Sequence, residues 1–337
     1  MTLKLTVVDQ SPVQGLPSDI SPVAVTVDLA RACDRLGYHR YWLAEHHNSV
    51  NFAGPCPEIL IGHIASQTER IRVGSGGVML THYSPYKVAE QFSMLETLYP
   101  DRIDLGIGRA PGGDALASHA LAYPAQPGLE DYAEQAWLLQ HLLHGSLPED
   151  HPYQSLQVMP GQPAIPQTWM LGSSGGSAGL AGQVGMKMCL ALFISPEPAP
   201  PSVMAEYKQA WHDAGHAGKP EASIAVAALC ADSREEAEYL AAPAVYWKVK
   251  AFRQGIREVV KSPDEALRLK AQLSPSDQAF FDAVLNSMVL GSAAECADQI
   301  SKVADQYQSD EVGIVTVTHD YGHRLRSYER LAEALIR

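Results

Sequence analysis

Short apolar runs alternate along this chain with longer segments whose apolar residues recur every three to four positions. The short runs cover residues 3–8, 39–43, 71–74, 103–107, 168–171, 186–193, 222–229 and 312–317. They are rich in Val, Ile, Leu and aromatic residues, as buried strands are. The helical periods fall at 22–36, 57–68, 85–98, 129–143, 177–184, 202–214, 233–241, 293–306 and 322–336. Ser21-Pro22 and Ser84-Pro85 supply a cap residue followed by proline at the first helical position. Gly145 is placed to end the fourth helix as a left-handed terminator. Residues 144–166 form a Pro-, Gly-, Gln- and His-rich excursion. The rhythm breaks at 243–290, which is helical in composition and shows no strand. Eight strands alternating with helices predict an α/β fold, a (β/α)8 barrel, as one domain over 1–337 with a helical insertion near the C-terminal end. An open doubly wound sheet is the rival arrangement.

Several of these strands end in polar or small residues. Tyr41-Trp42-Leu43-Ala44 runs into Glu45-His46-His47, and the runs at 5–12, 71–77, 103–111 and 168–174 finish similarly. Polar ends on consecutive parallel strands predict one site at the C-terminal face of a barrel. Neighbouring residues of a strand point to opposite faces, so only one of the two histidines can face the barrel centre. Gly76-Gly77 interrupts a β-branched run and would let backbone approach a flat ligand. Arg109 lies just past a buried strand, where a guanidinium can hold a phosphate by two hydrogen bonds. Ser173, Ser174 and Ser177 sit where a strand gives way to a helix, an arrangement suited to an anion. Each has a plainer reading as a polar cap, a turn, a surface ion pair or a helix cap.

Other chemistries find less support. The glycines at 106–113 fail the dinucleotide spacing at Pro111. There is no GxSxG nucleophile motif. His319 and His323 have HxxxH spacing, but Gly322 between them puts the segment at a strand end and turn, so no metal is expected. His141, His144, His212 and His216 read as helix-surface residues. Asp9 and Glu45 are the only strand-end carboxylates.

Composition narrows the picture further. Of 337 residues, 46% are hydrophobic and 19% charged, which fits a large closed domain or a chain that hides surface in a dimer. The net charge of −13, with no long Lys/Arg run, sets nucleic acid and anionic membrane aside as partners. Five scattered cysteines without a CxxC pair, most of them reading as small buried thiols, predict a reducing, cytoplasmic compartment. No signal peptide and no apolar run near the ~20 residues of a membrane helix are seen.

The stretches VVDQSP (7–12), LGYHRYWLAEHHN (36–48), IRVGSGGVML (71–80), SPYKVAEQF (84–92), LYPDRIDLGIGRAPGGD (98–114), WMLGSS (169–174) and RLRSYERLAEA (324–334) together carry a resemblance. The chain resembles the bacterial luciferase-like, flavin-dependent monooxygenases, and most closely their single-chain oxidoreductase subgroup. The resemblance implies a TIM barrel with a C-terminal insertion. It implies reduced FMN as cofactor, supplied by a separate reductase, with O2 and a small organic substrate as co-reactants through a flavin C4a-(hydro)peroxide. By position it places the phosphate-binding arginine at Arg109 and the phosphate loop at Ser173, Ser174 and Ser177. The pair against the flavin ring, often joined by a non-proline cis peptide, falls at Gly76-Gly77, and the active-site histidine at His46. Dimers are common in such proteins, so a homodimer is expected. The light-emitting subunits carry an acidic residue about where this chain has Ser173, and they pair as heterodimers; luminescence itself is not expected. The insertion at 243–290, with Tyr246, Trp247, Phe252, Phe280 and Phe281, could close as a lid or pack as core. A deazaflavin-dependent oxidoreductase and a non-catalytic flavin-binding protein are the alternatives.

Overall fold

A computed structural model describes residues 3–13, 15, 20–123, 132–161 and 164–336. Eight parallel strands close into a barrel: β1 (Lys4–Asp9), β2 (Arg40–Leu43), β3 (Arg72–Ser75), β5 (Ile103–Gly108), β6 (Gln167–Gly172), β7 (Lys187–Ala191), β8 (Ala222–Cys230) and β10 (Glu311–Val315). β10 pairs with both β1 and β8, which completes the ring. The open-sheet rival is therefore excluded. A two-residue strand, β4 (Val78–Met79), continues the line of β3 beyond the glycine pair and rejoins β5 at Val78↔Ile107.

Helices α1 (Pro22–Leu36), α2 (Pro57–Ala65), α3 (Pro85–Leu98), α5 (Tyr132–His144), α6 (Gly175–Val184), α7 (Ser202–Asp213), α8 (Arg234–Lys248), α11 (Ala293–Tyr307) and α12 (Tyr321–Leu335) surround the barrel. The predicted start of the fourth helix at 129 lies outside the described residues. Ser21 and Ser84 hold the N-cap positions, but neither hydroxyl makes a cap hydrogen bond. Gly145, at φ 59°, does take the left-handed conformation after α5.

Three features depart from the sequence reading. A short helix, α4 (Ala115–Ala122), is capped by the Asp114 side chain, which accepts from the Ala117 amide at 2.8 Å; its apolar residues are too uniform to show a period. Helix α8 runs through Pro243, where the sequence reading stopped it. Proline costs a backbone hydrogen bond there, but burial of Ala242, Val245 and Tyr246 offsets the loss. The third is β9 (Val289–Gly291), which pairs with the outer end of β8 inside the stretch read as strand-free. Three residues cannot display a period.

The insertion otherwise holds a π-helical turn at Val249–Arg253, then α9 (Pro263–Lys270) and α10 (Pro275–Asn286). It has its own small core of Ala242, Val245, Tyr246, Val249, Ala266, Phe281 and Val284. Its aromatics divide: Tyr246 and Phe281 pack inward, while Phe252 is 61% exposed.

The barrel interior is filled in layers. Val8, Trp42, Trp169, Cys189, Ala225 and Val315 form the upper one, with the two indole rings edge-on at 5.2 Å. Beneath it, at the strand N-terminal ends, Arg40 bridges Asp104 (2.8 Å) and Glu311 (2.8 Å), and Arg72 reaches the same Asp104 at 2.8 Å. The Trp42 indole also donates to Asp104, at 2.9 Å. These buried charges are paired and hydrogen-bonded, the condition under which burial is tolerated. Four cysteines are buried; Cys56 is exposed.

Candidate active site

The predicted site residues all lie at the strand C-terminal ends, on four neighbouring strand positions. In register, Leu43 of β2 stands opposite Ser75 of β3, Val78 opposite Ile107 of β5, and Ile107 opposite Met170 of β6. His46 follows Leu43 by three residues, Gly76-Gly77 separates β3 from β4, Arg109 directly follows β5, and Ser173 directly follows β6.

The Gly76-Gly77 peptide is cis. A Cβ on Gly76 would meet Trp42 Cβ at 2.9 Å, and one on Gly77 would meet the Gly106 carbonyl oxygen at 2.9 Å. Protein packing alone therefore requires glycine at both positions, a demand the sequence reading had assigned to a ligand.

Arg109 is exposed and makes no ion pair among the described residues. Ser174 is the N-cap of α6 without a cap hydrogen bond, and Ser173 is exposed beside it. Ser177 lies so close to Gly172 that a Cβ there would stand 2.2 Å from the serine Cβ. A guanidinium, two uncommitted hydroxyls and a helix N-terminus thus share one open edge, a setting suited to a phosphate. One carboxylate intrudes: Glu206 Oε2 would be 2.5 Å from a Cβ on Gly175.

The two adjacent histidines lie in the loop beyond the end of β2, not in a strand, and their rings have different surroundings. His47 Nε2 bonds Glu45 Oε1 at 2.6 Å. Glu45 also accepts from the Tyr83 hydroxyl at 2.8 Å and from the Met79 amide at 3.1 Å. Burial, with the Glu45 carboxylate next in effect, pushes the Tyr83 hydroxyl well above its usual range. Glu45 is thus a tie between β2, β4 and the following 3-10 turn. Asp9 is committed likewise, to Arg324 Nη1 at 3.0 Å, to the Ser11 amide at 2.8 Å and to the Tyr41 hydroxyl. Neither strand-end carboxylate is free for acid–base work.

His46 faces the other way, its ring against Phe52 at 4.6 Å. Its Nδ1 is buried and has no partner among the described residues. Burial first, then the nearby His47 and Arg257 charges, lowers its pKa to about 4. The imidazole is neutral at ordinary pH, and one ring nitrogen remains to be satisfied.

His46 lies on the wall of a cavity of about 180 Å³ that also touches Gln10, Phe193, Trp247, Lys248 and Met288. Gly76, Gly77, Arg109 and the serines are not on that wall. The structure therefore separates an open cradle along β3–β6 from an apolar, solvent-accessible chamber under the insertion, with His46 on the chamber wall. The insertion is held over the chamber by residues that carry no local sequence signal. Asn51 donates to the Glu258 carbonyl at 2.9 Å and accepts from the Val260 amide at 2.9 Å. Arg257 donates to the Gly113 carbonyl at 2.8 Å. Ser11 and Asn48, in the loops at the mouth, hold positive φ of 51° and 49°, a conformation that costs energy and clusters at binding sites. Among the described residues no cluster of three or more His, Cys, Asp or Glu side chains could hold a metal ion, and no helix is long and apolar enough to cross a membrane.

A closed parallel barrel with its polar groups gathered at the strand C-terminal ends defines an α/β-barrel protein of enzyme type. The family profile for luciferase-like monooxygenases matches residues 3–309. The chain belongs to that family. It is 41% identical to YwcH of Bacillus subtilis (strain 168) over 98% of this chain and 99% of that one. It is 33% identical to an N-acetyl-S-alkylcysteine monooxygenase of the same organism, over 99% and 98%. Among solved structures, apo-MsnO8 superimposes with a TM-score of 0.85 at 36% identity, covering 98% of both chains. The same fold, at 19% identity and a TM-score of 0.73, occurs in the oxygenating constituent of 3,6-diketocamphane monooxygenase from Pseudomonas putida in complex with FMN, over 99% and 98% of the chains.

Proposed function

We propose that this protein is a flavin-dependent monooxygenase that takes reduced FMN from a separate reductase and oxidises a small organic substrate with O2. The observation that carries this reading is His46, a neutral imidazole with an unsatisfied buried nitrogen on the wall of an apolar chamber, at the same barrel face as an open anion cradle. The residues fit a flat, phosphorylated cofactor: Arg109 and the serines have no acidic partner among the described residues, Gly76-Gly77 presents bare backbone, and the one carboxylate noted beside the cradle is Glu206 at Gly175. Bound reduced flavin would supply two electrons to O2, so that one oxygen atom enters the substrate and the other leaves as water.

This chain's residues do the rest. Arg109, Ser173, Ser174 and Ser177 hold the phosphate and fix the register of the cofactor along β5 and β6. Gly76-Gly77 supports its ring. His46, neutral at working pH, offers a hydrogen bond rather than a charge where cofactor and substrate meet. The insertion, pinned by Asn51 and Arg257, keeps water from the chamber, where it would waste the reduced cofactor. The monooxygenase named for a relative 33% identical supports oxygen insertion as the reaction class.

Anaerobic titration with reduced FMN, followed by mixing with oxygenated buffer and a substrate panel, tests the reading. Tight binding and one oxygen atom from 18O2 recovered in product are expected. Failure to bind reduced FMN, with binding of a deazaflavin, would replace monooxygenation with deazaflavin-dependent hydride transfer. Binding without product across the panel would favour a carrier role.

A further inference from the structure

The chamber beside His46 contains one cation whose charge nothing balances. Lys248 is the last residue of α8 and stands where the helix passes into the π-helical turn at Val249–Arg253. Such turns are frequent at functional sites. Its Nζ donates to the Phe193 main-chain carbonyl at 2.6 Å, and no carboxylate among the described residues pairs with it. An ammonium has three donors, so two are left for the chamber. The surrounding wall is largely apolar: Phe52, Phe193, Val284 and Met288 line it, with Gln10, His46 and the Trp247 indole N–H, unpartnered among the described residues, as other polar groups. His46 is the one other titratable group on that wall. With no acid nearby, burial alone depresses the ammonium, to about 8.

A lone ammonium is a poor choice for packing. Taking it out of water costs free energy that the Phe193 carbonyl and the face of the Phe193 ring, 5.9 Å away, recover only in part. An anion arriving with a ligand would recover the remainder. From this placement we infer that the chamber is a substrate subsite for organic molecules with an apolar body and one carboxylate, the carboxylate seated on Lys248 and the apolar body directed toward His46. This rests on the reading of the chamber as the substrate side of a flavin site; it adds the chemical class of the substrate and a specificity-determining residue.

Binding to the chamber does not need the cofactor, so octanoate and 1-octanol serve as probes on the full chain without flavin, by calorimetry. Wild-type protein is expected to prefer octanoate at least tenfold at pH 7, and to lose that preference as pH rises past 8, where Lys248 gives up its proton. Lys248→Met is expected to erase the preference and its pH dependence while holding 1-octanol within about twofold of wild type. Lys248→Arg keeps the charge and should restore the preference, which a purely structural lysine would not produce. Equal affinity for the two probes in wild type, or an octanoate preference that survives Lys248→Met, overturns the inference. Reduced-FMN titration of the same samples separates the two readings. Flavin binding without carboxylate preference removes only the subsite, and carboxylate preference without flavin binding removes only the cofactor.

Discussion

Acidification isolates His46 from the other twelve histidines of the chain. Its ring is held neutral, with a pKa lowered to about 4 from the ordinary 6.5, by burial first and by the His47 and Arg257 charges second. The unfolded chain therefore binds a proton in a window where the folded protein does not, and stability falls as pH drops. The contribution is fully present above 6.5 and is lost as pH falls toward the folded value. Integrating the linkage between those two values gives a loss of roughly 2 kcal/mol from pH 7 to 4.5, about half of it by pH 5.5. Urea denaturation of wild type and His46→Gln across that range reads the difference of the two pH profiles, in which acid effects common to both cancel. The wild-type curve should fall more steeply by these amounts, and the Cε1–H resonance missing from the variant should titrate near 4 in the wild type. Parallel stability curves, or a resonance that titrates near 6.5, would refute the neutral, desolvated imidazole and with it the hydrogen-bonding role given to His46.

Arg109→Ala should weaken FMN binding by roughly 10- to 150-fold, the worth of about 1.5–3 kcal/mol for a charge-assisted contact, while riboflavin, which lacks the phosphate, binds as before; equal losses for both in a fluorescence titration would show that Arg109 does not hold the phosphate. At the opposite end of the barrel, Asp104→Ala strands Arg40 and Arg72 without their shared carboxylate and should cost about 3–5 kcal/mol in chemical denaturation. A cost under about 1 kcal/mol would mean that water or Glu311 takes over the charge.

What the sequence could disclose follows the range of the physics. Strands such as Arg40–Leu43 declare themselves because every residue is buried, and the abrupt change at Glu45 marks the end that faces the site. Helix α8 was cut short because Pro243 is a local signal, whereas the burial that overrides it is tertiary. Val289–Gly291 was invisible because three residues carry no period. The same limit applies to the site. His46 and Arg109 stand out by following apolar strands. Asn51, Arg257 and Lys248 matter through contacts with chain distant in sequence, and nothing around them distinguishes them from ordinary polar surface.

The barrel also divides its two kinds of buried charge by end. At the strand N-terminal face, Arg40, Arg72, Asp104 and Glu311 satisfy one another, and the Trp42 indole closes the network from above. At the C-terminal face, Asp9 and Glu45 commit their oxygens to tying loops, while Arg109 on the open edge and Lys248 in the chamber have no carboxylate partner among the described residues and Glu206 stands beside Gly175. Apart from Glu206, that face presents donors rather than carboxylates to an incoming anion. On the proposed flavin reading, its chemistry comes from a bound group, and the protein's part is to hold that group in register and keep water away. That asymmetry, more than any single residue, is why the C-terminal face reads as a cofactor site and the N-terminal face as scaffold.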